Sequence, residues 1–401
     1  MTNSDNTAWT RSDFMLERDH VLLQRRSRAL WTGVGALLVC VLWGLFDSEQ
    51  FFQSWLVAWM YWLGVSLGSM GLVLLNHLTG GRWGTILRRS FEAASRTVPL
   101  MAVLFVPVLL GMGSLYEWTH ADIVAHDPIL QHKAAYLNTT FFIIRAFVYF
   151  AAWIGISTAL TRLSARQDLG GHNDELARSF HMLARIGIVV YVLTMTFASI
   201  DWVMSLEPHW FSHIYGVIFT GGQFLTALAF MIAVVVTFAD SEPFSRVIIA
   251  DRFHDMGKLM LAFIMLWAYF HLSQFLIIWA ANLPEEVPWY IARISGGWQL
   301  VALLLVAGHF VMPFIVLLSR SVKRNHHQLA VVATAMLVMR YVDLYWFIGP
   351  AFSPGALAFH PLNILTMIAI GGLWYWYFTG QLEDRPVLAF NDPLLVEELK
   401  Q

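Results

Sequence analysis

Cysteine and charged residues are scarce in this chain, and their scarcity excludes several classes of protein. Among 401 residues there is one cysteine, Cys40. One thiol cannot form an intrachain disulfide, a four-cysteine zinc site or an iron–sulfur cluster. Only 13% of the residues are charged and the formal net charge is −2, whereas soluble domains contain about 25% charged residues. The small net charge gives no indication of nucleic-acid binding.

Motifs for redox cofactors and nucleotides are also missing. A haem b bundle needs paired histidines that face each other within the membrane, and His77, His271 and His309 are too few and badly placed. No haem c attachment motif, Walker motif or dinucleotide-binding fingerprint occurs. We therefore predict no catalytic residue, resident cofactor or metal site in this chain. Any electrons would travel through other polypeptides.

Long hydrophobic runs are what the sequence has in abundance. Hydrophobic residues make up 58% of the chain, and its 18 Trp and 12 Tyr are typical of anchoring at membrane surfaces. Because a membrane span needs about 17–25 residues, the pattern predicts an all-α polytopic protein with ten transmembrane helices. The predicted spans are 29–46, 52–78, 98–115, 139–160, 186–206, 214–238, 258–281, 297–318, 328–349 and 363–379. The polar first 28 residues argue against a signal peptide.

The distribution of Lys and Arg predicts how the chain is oriented. Successive loops alternate between the two sides of the membrane, and we call the side of the N-terminal tail side one. Only Lys133 and Arg293 then fall on side two, while Arg145 and Arg340 lie within spans. The remaining 21 of the 25 Lys and Arg fall on side one. By the positive-inside rule, we expect both termini in the cytoplasm.

Two spans share a rare pattern, an aspartate followed seven residues later by a proline. The pairs are Asp201 with Pro208 on span five and Asp343 with Pro350 on span nine. Each carboxylate would lie about 9–10 Å below its helix end. Four helices separate the pairs, so we predict two parallel four-helix bundles, helices 2–5 and 6–9, with helices 1 and 10 peripheral. The predicted domains are 1–28, a cytoplasmic tail; 29–51, peripheral helix 1; 52–210 and 211–352, the two units; and 353–401, peripheral helix 10 with a cytoplasmic tail.

Each intramembrane aspartate has an arginine at its own depth. Arg145 on span four lies about 10 Å deep, as Asp201 does on the next, antiparallel span. Arg340 and Asp343 share one face of span nine at a spacing of three residues. Ion pairing would remove the largest desolvation cost of both partners. Two interpretations stay open: structural links between helices, or groups that move protons or contact quinone.

Further polar residues within or near the spans are candidates for a proton path. His271 and Gln274 share one face of span seven, and His309 lies near the middle of span eight. They predict a chain from His309 and His271 through Gln274 towards Arg340, Asp343 and Tyr345, since histidine titrates near neutral pH and suits a proton relay. Hydrogen bonds between helices are the alternative. Glu207 is part of an interfacial helix end, a proton exit or a contact of the quinol ring.

The longest loop of side two, residues 116–138, is acidic and contains several histidines. We interpret it as a solvated docking surface. Metal binding is the alternative, although its spacings match no standard site.

Two longer segments resemble the F subunit of bacterial Alternative Complex III. The first covers residues 199–210 (SIDWVMSLEPHW) and 214–218 (IYGVI). The second runs from 253–259 (FHDMGKL) through 267–270 (WAYF) to 273–285 (SQFLIIWAANLPE). The resemblance is strong over helices five to eight and rests on topology elsewhere. It implies the polysulfide-reductase membrane-subunit superfamily, with ten helices in two four-helix bundles.

The resemblance implies a multi-pass subunit in the bacterial inner membrane, within a respiratory quinol:electron-acceptor oxidoreductase. Implied partners are a homologous ten-helix quinol-binding subunit, an iron–sulfur subunit, haem c subunits and a terminal oxidase. Quinone or quinol stays open as a ligand of this chain. The implied role is proton translocation, carried over to Asp201, His271, Gln274, Arg340 and Asp343.

Two other functions remain open. A stand-alone ion-coupled transporter would often have broken helices at equivalent positions of its repeats, but Pro107 and Pro313 are not equivalent. A purely structural membrane anchor would need none of the buried charges for transport.

Overall fold

The protein is an all-α polytopic membrane protein. The computed structural model describes residues 10–171, 173–383, 385–389 and 391–399, and no β-strand occurs in these ranges. Residues 1–9 and 400–401 of the predicted tails lie outside them. Ten long helices lie in the described chain: α1 (Val21–Gly44), α2 (Ser48–Thr79), α3 (Arg82–Leu110), α4 (Thr139–Gly170), α5 (Asp174–Trp202), α6 (Tyr215–Val236), α7 (Ala250–Ala281), α8 (Trp298–Leu318), α9 (His326–Phe352) and α10 (Leu362–Gly380).

Shorter helices occupy the connections and the segments before α1 and after α10. The described ones are Arg11–Phe14, Met112–Leu115, Glu117–Thr119, Ala121–His126, Pro128–Lys133, Met204–Leu206, Phe244–Val247, Val287–Arg293, Arg320–Arg324 and Pro393–Leu399. Successive long helices run in opposite directions across the molecule. The odd-numbered helices begin on the side that is rich in Lys and Arg, and the even-numbered helices end there. We call that side the basic face and the other the opposite face.

Nine of the ten long helices in the described residues, α1 to α9, are long and apolar enough to cross a membrane. The predicted tenth span is also a helix, Leu362–Gly380, with 19 residues. At 1.5 Å per residue it is about 28 Å long, close to the thickness of the hydrocarbon layer. Trp374, Tyr375, Trp376 and Tyr377 near its end are residue types that concentrate at membrane–water interfaces.

The predicted start of the third span was wrong. We expected residues 98–115, but α3 begins at Arg82. Its first segment, Arg82–Ser95, is strongly amphipathic and almost entirely buried, so a search for apolar runs does not find it. Two new helical segments then start close to Pro99 and Pro107, where proline is tolerated because the first turn needs no N–H donor.

The long helices pack as two closed bundles side by side. In the first, α2 contacts α3 and α5, while α4 contacts α3 and α5; in the second, α6 contacts α7 and α9, while α8 contacts the same two. The bundles meet through α2, α5, α6 and α9, and α10 packs between α1 and α2. This arrangement agrees with the predicted bundles of helices 2–5 and 6–9. The exact domain boundaries stay a prediction.

The two inner helices, α2 and α6, approach very closely. A Cβ atom at Gly68 would lie 2.1 Å from the carbonyl oxygen of Gln223, so only glycine permits this crossing. Small residues allow such close backbone contact in membranes, where packing replaces the hydrophobic effect. Glycine at this position therefore sets the distance between the bundles.

A π-helix interrupts α8 at Val306–Val311. Pro313 follows it, and a proline cannot donate to the carbonyl four residues earlier, here that of His309. The wider π turn removes the clash between the proline ring and that carbonyl. It also places His309 inside the second bundle, where the side chain is fully buried.

Candidate functional site: two buried carboxylates

The predicted Arg145–Asp201 ion pair forms in the first bundle. Arg145 Nε donates to Asp201 Oδ2 at 2.8 Å and Nη2 donates to Oδ1 at 2.9 Å. Tyr149 on α4 adds a third bond, from its hydroxyl to Oδ2, at 2.8 Å. Such a bidentate contact is the strongest geometry for a guanidinium and a carboxylate. Both oxygens of the buried Asp201 are thus hydrogen-bonded.

The Arg145 guanidinium is held from its other side as well. Nη1 donates to the carbonyl of Tyr136 at 2.9 Å. The cation also lies 3.9 Å from the centre of the Tyr136 ring and 4.3 Å from that of Phe141, within the range of cation–π attraction. A charge fixed by this many contacts on α4, α5 and the preceding loop suits a structural role.

The second bundle contains the predicted local pair, Arg340 with Asp343, both buried on α9. Trp267 on α7 donates its indole N–H to Asp343 Oδ2 at 3.1 Å. The guanidinium lies against Gly222 of α6, where a Cβ would lie 2.4 Å from the guanidinium carbon. The absence of a side chain at this glycine therefore makes room for the arginine.

Two histidines lie near Asp343, whose Oδ1 atom makes no hydrogen bond within the described residues. His271 Nε2 lies 3.9 Å from Asp343 Oδ1, beyond hydrogen-bond range. Neither atom has a hydrogen-bond partner among the described residues, nor has either ring nitrogen of His309. The Trp267 ring joins the three groups, with its centre 4.2 Å from the His271 ring and 4.1 Å from the His309 ring.

The two aspartates thus differ in a way that the sequence does not reveal. Asp201 is hydrogen-bonded through both oxygens, whereas Asp343 keeps Oδ1 free near the partly buried His271 and the fully buried His309. Buried polar groups without partners cost about 1–3 kcal/mol each, so each calls for an explanation, such as a catalytic role or a bound water. Asp343 is therefore the better candidate for a group that binds and releases protons.

Gln274 is not between the histidines and Asp343, as the predicted chain of groups required. Its side-chain oxygen accepts a bond from the Ser212 hydroxyl at 3.1 Å, in the connection between α5 and α6. Gln274 therefore belongs to the opposite-face end of the cluster. His271, His309, Arg340 and Asp343 do lie together.

Glu207 pairs with Arg293, a contact that the sequence did not predict. Arg293 Nη2 lies 2.5 Å from Glu207 Oε2, and Nη1 lies 3.2 Å from Oε1. Arg293 is fully buried and also donates to the carbonyl of Phe347 on α9 at 2.7 Å. Tyr215 on α6 packs beside Phe347, with ring centres 5.6 Å apart, and the Phe347 ring lies 5.4 Å from that of His271.

A cavity of about 460 Å³ opens beside Glu207 on the opposite face. Trp210 and Trp289, stacked at 4.5 Å, form part of its wall. His209, another lining residue, contacts Asp127 Oδ2 at 2.6 Å. That hydrogen bond, together with the N–H groups of Leu130 and Ile129, holds the pKa of Asp127 below its usual range. The cavity gives Glu207 a route to the aqueous phase.

A second buried ionic cluster, which the sequence did not predict, lies near the basic face. Arg89 Nη1 donates to Glu92 Oε2 at 3.0 Å, and the Ser164 hydroxyl donates to the same oxygen at 2.5 Å. Arg88 Nη1 pairs with Asp392 at 2.9 Å, and Arg89 also pairs with Asp168. Because these charges on α3 precede the predicted third span, 98–115, the sequence pattern places them in a loop.

Access to this cluster comes from the basic face. A cavity of about 230 Å³ is lined by Arg88, Asp392, His77, His181 and Gln167. Deeper in the bundle, the hydroxyls of Ser95 and Ser157 lie 3.1 Å apart, one helical turn beyond Glu92 on α3. Polar groups therefore extend inwards from both faces.

Comparison with models of known protein families and with curated proteins returned no match.

Proposed function

We propose that this chain is a membrane subunit of a respiratory quinol:electron-acceptor oxidoreductase of the Alternative Complex III type. In this proposal it carries no redox centre, lies in the bacterial inner membrane with its basic face in the cytoplasm, and supports proton translocation. Redox chemistry belongs to partners with haem c and iron–sulfur clusters and to a homologous quinol-binding subunit. The observation that carries the proposal is the unpartnered oxygen of Asp343 beside His271 and His309.

The Arg340–Asp343 pair supplies a means of coupling proton binding to movement. Arginine stays protonated, so a proton on Asp343 would leave Arg340 as an uncompensated buried cation. Breaking a buried pair in this way costs about 3–5 kcal/mol. Protonation therefore favours displacement of Arg340 from the carboxyl group, and deprotonation favours its return.

Groups on both sides of Asp343 support a path across the membrane. A water molecule bonded to both His271 and Asp343 would bridge their 3.9 Å separation. Towards the opposite face, Tyr215 and the Glu207–Arg293 pair lead to the larger cavity. Towards the basic face, Tyr191 on α5 donates to Gln223 on α6 at 2.7 Å. Gln223 follows Gly222, the glycine that Arg340 contacts. The Glu92 cluster lies closer to the basic face.

Purification of the tagged chain from its native membranes tests the proposed assembly. In a mild detergent, we expect it to retain haem c and iron–sulfur polypeptides and to oxidise quinol with reduction of a cytochrome c. Visible spectroscopy detects the haem and mass spectrometry identifies the polypeptides. A chain that purifies alone and carries a solute across proteoliposomes would contradict the assignment.

Glu92→Gln tests whether the cluster near the basic face takes up protons. We expect turnover-linked proton translocation to slow by about tenfold or more, equivalent to about 1.4 kcal/mol in the barrier, because glutamine cannot accept a proton. The measurement is the rate of pH change inside proteoliposomes that contain the purified complex.

Asp392→Asn is the matched control for Glu92→Gln. It removes the partner of Arg88 at the cavity but leaves the Arg89–Glu92–Ser164 contacts in place. We expect it to translocate protons at nearly the wild-type rate. Equal rates in the Glu92→Gln complex and the wild type would exclude Glu92 from the path.

A further inference from the structure

Three side chains with metal-binding atoms converge on the basic face, away from the buried carboxylates. Asp240 follows the end of α6, while His326 and His327 are the first two residues of α9. One carboxylate oxygen and one nitrogen from each imidazole all lie within 4.8 Å of one another. We infer that these residues form a binding site for a divalent transition-metal ion of the zinc type. This inference does not rest on the proposed respiratory function.

The contact between His326 and Asp240 has the geometry of shared coordination. His326 Nε2 lies 3.3 Å from Asp240 Oδ2, yet this buried nitrogen makes no hydrogen bond within the described structure. In a tetrahedral site with bonds of about 2.0–2.1 Å, two ligand atoms are about 3.3–3.4 Å apart. The observed separation fits two ligands of one ion better than it fits a hydrogen bond.

Neighbouring groups restrict the orientation of the His326 ring. Its centre lies 5.4 Å from that of Phe253 on α7 and 4.1 Å from that of His327. A histidine with few ring orientations loses less conformational freedom when it binds an ion. The site therefore joins three segments of the second bundle: the turn after α6, and the first turns of α7 and α9.

The donor set selects the class of ion. Imidazole suits Zn²⁺, Cu²⁺ and Ni²⁺, whereas Ca²⁺ and Mg²⁺ prefer oxygen ligands. Three protein ligands leave a fourth tetrahedral position for water. That position is accessible, because 75% of the Asp240 side chain and 25% of the His326 side chain are exposed.

Two positively charged features near the site disfavour the binding of a cation, but the effect of each is small. The N-terminus of α9 carries a partial positive charge, but this effect is small at an exposed position. Arg324 lies just before the site, and its charge is paired with Asp251. The Asp240 carboxylate adds a negative charge directly to the ligand set.

Metal titration of the purified full-length chain in detergent tests the site. After treatment with a chelator, we expect calorimetry with Zn²⁺ to show one tight site per chain. Co²⁺ at the same site is expected to give the intense visible absorption of a tetrahedral complex. No tight binding, or a Co²⁺ spectrum typical of six ligands, would overturn the inference.

Variants separate this site from the other histidines of the chain. We expect His326→Ala and Asp240→Asn each to weaken Zn²⁺ binding at least tenfold, equivalent to about 1.4 kcal/mol. His181→Ala, an exposed histidine on the same face, is the matched control and should bind as the wild type does. Unchanged binding in the two site variants, or an equal loss in the control, would overturn the inference.

Discussion

Asp343→Asn is expected to abolish proton translocation while quinol oxidation continues. Asparagine keeps the shape of the side chain and its contact with Trp267, but it cannot bind and release a proton beside His271 and His309. The measurement uses proteoliposomes with the purified complex, a quinol and an electron acceptor. Proton release per electron should fall to the value set by quinol oxidation alone, whereas the rate of acceptor reduction with an uncoupler should remain near that of the wild type.

A loss of folding must be distinguished from a loss of proton transfer. Asp343→Asn leaves Arg340 without its carboxylate, which is costly in a buried site. The double variant Arg340→Gln/Asp343→Asn removes both charges, so it should assemble better and still fail to move protons. Proton translocation at the wild-type level in both variants would rule out Asp343 as the proton carrier.

Asp201 provides a matched control at the equivalent position of the first bundle. Asp201→Asn removes a buried carboxylate of the same type, but one whose oxygens are fully hydrogen-bonded. We expect less assembled complex, with an unchanged ratio of protons to electrons in the complex that remains. Loss of that ratio in this variant would place Asp201 in the proton path.

Removal of either partner of the Arg145–Asp201 pair is expected to destabilise the protein strongly. Arg145→Ala and Asp201→Asn should each lower the free energy of unfolding by about 3–5 kcal/mol, since each leaves an uncompensated buried charge. Reversible unfolding with SDS in detergent micelles measures this difference. Tyr149→Phe, which removes one hydrogen bond to a charged group, should cost less, about 1.5–3 kcal/mol.

The double variant decides whether the two residues act as a unit. The second substitution removes the charge that the first left unpaired. The loss of unfolding free energy in the double variant should therefore be smaller than the sum of the two single losses by about 1–3 kcal/mol. Strictly additive losses would mean that the pair seen between α4 and α5 contributes no coupling energy.

Depth along a helix was enough to predict the ion pairs within the membrane. Arg145 and Asp201 lie at similar distances from the ends of consecutive antiparallel helices, and a fixed rise of 1.5 Å per residue places them side by side. Arg340 and Asp343 are close on one helix. In both cases regular geometry and the cost of unpaired buried charge left few alternatives.

Contacts that depend on irregular backbone could not be predicted in this way. Arg293 lies in a connection, so no helical rise places it beside Glu207. The inward position of His309 depends on the π-helix before Pro313, and a regular helix would turn its ring differently. The Glu92 cluster was missed because buried charges lower the hydropathy of a segment, although its charged groups form ion pairs with one another.

The deep burial of α2 has a consequence for how the molecule is made. In its most apolar window 94% of the residues are buried inside the protein. Much of that burial comes from α6, α9 and α10, which leave the ribosome long after α2. During synthesis α2 therefore lies against lipid or the insertion machinery, and its final surroundings form only when the last third of the chain enters the bilayer. Because α2 is covered by helices of both bundles, we expect the two bundles to fold as one unit.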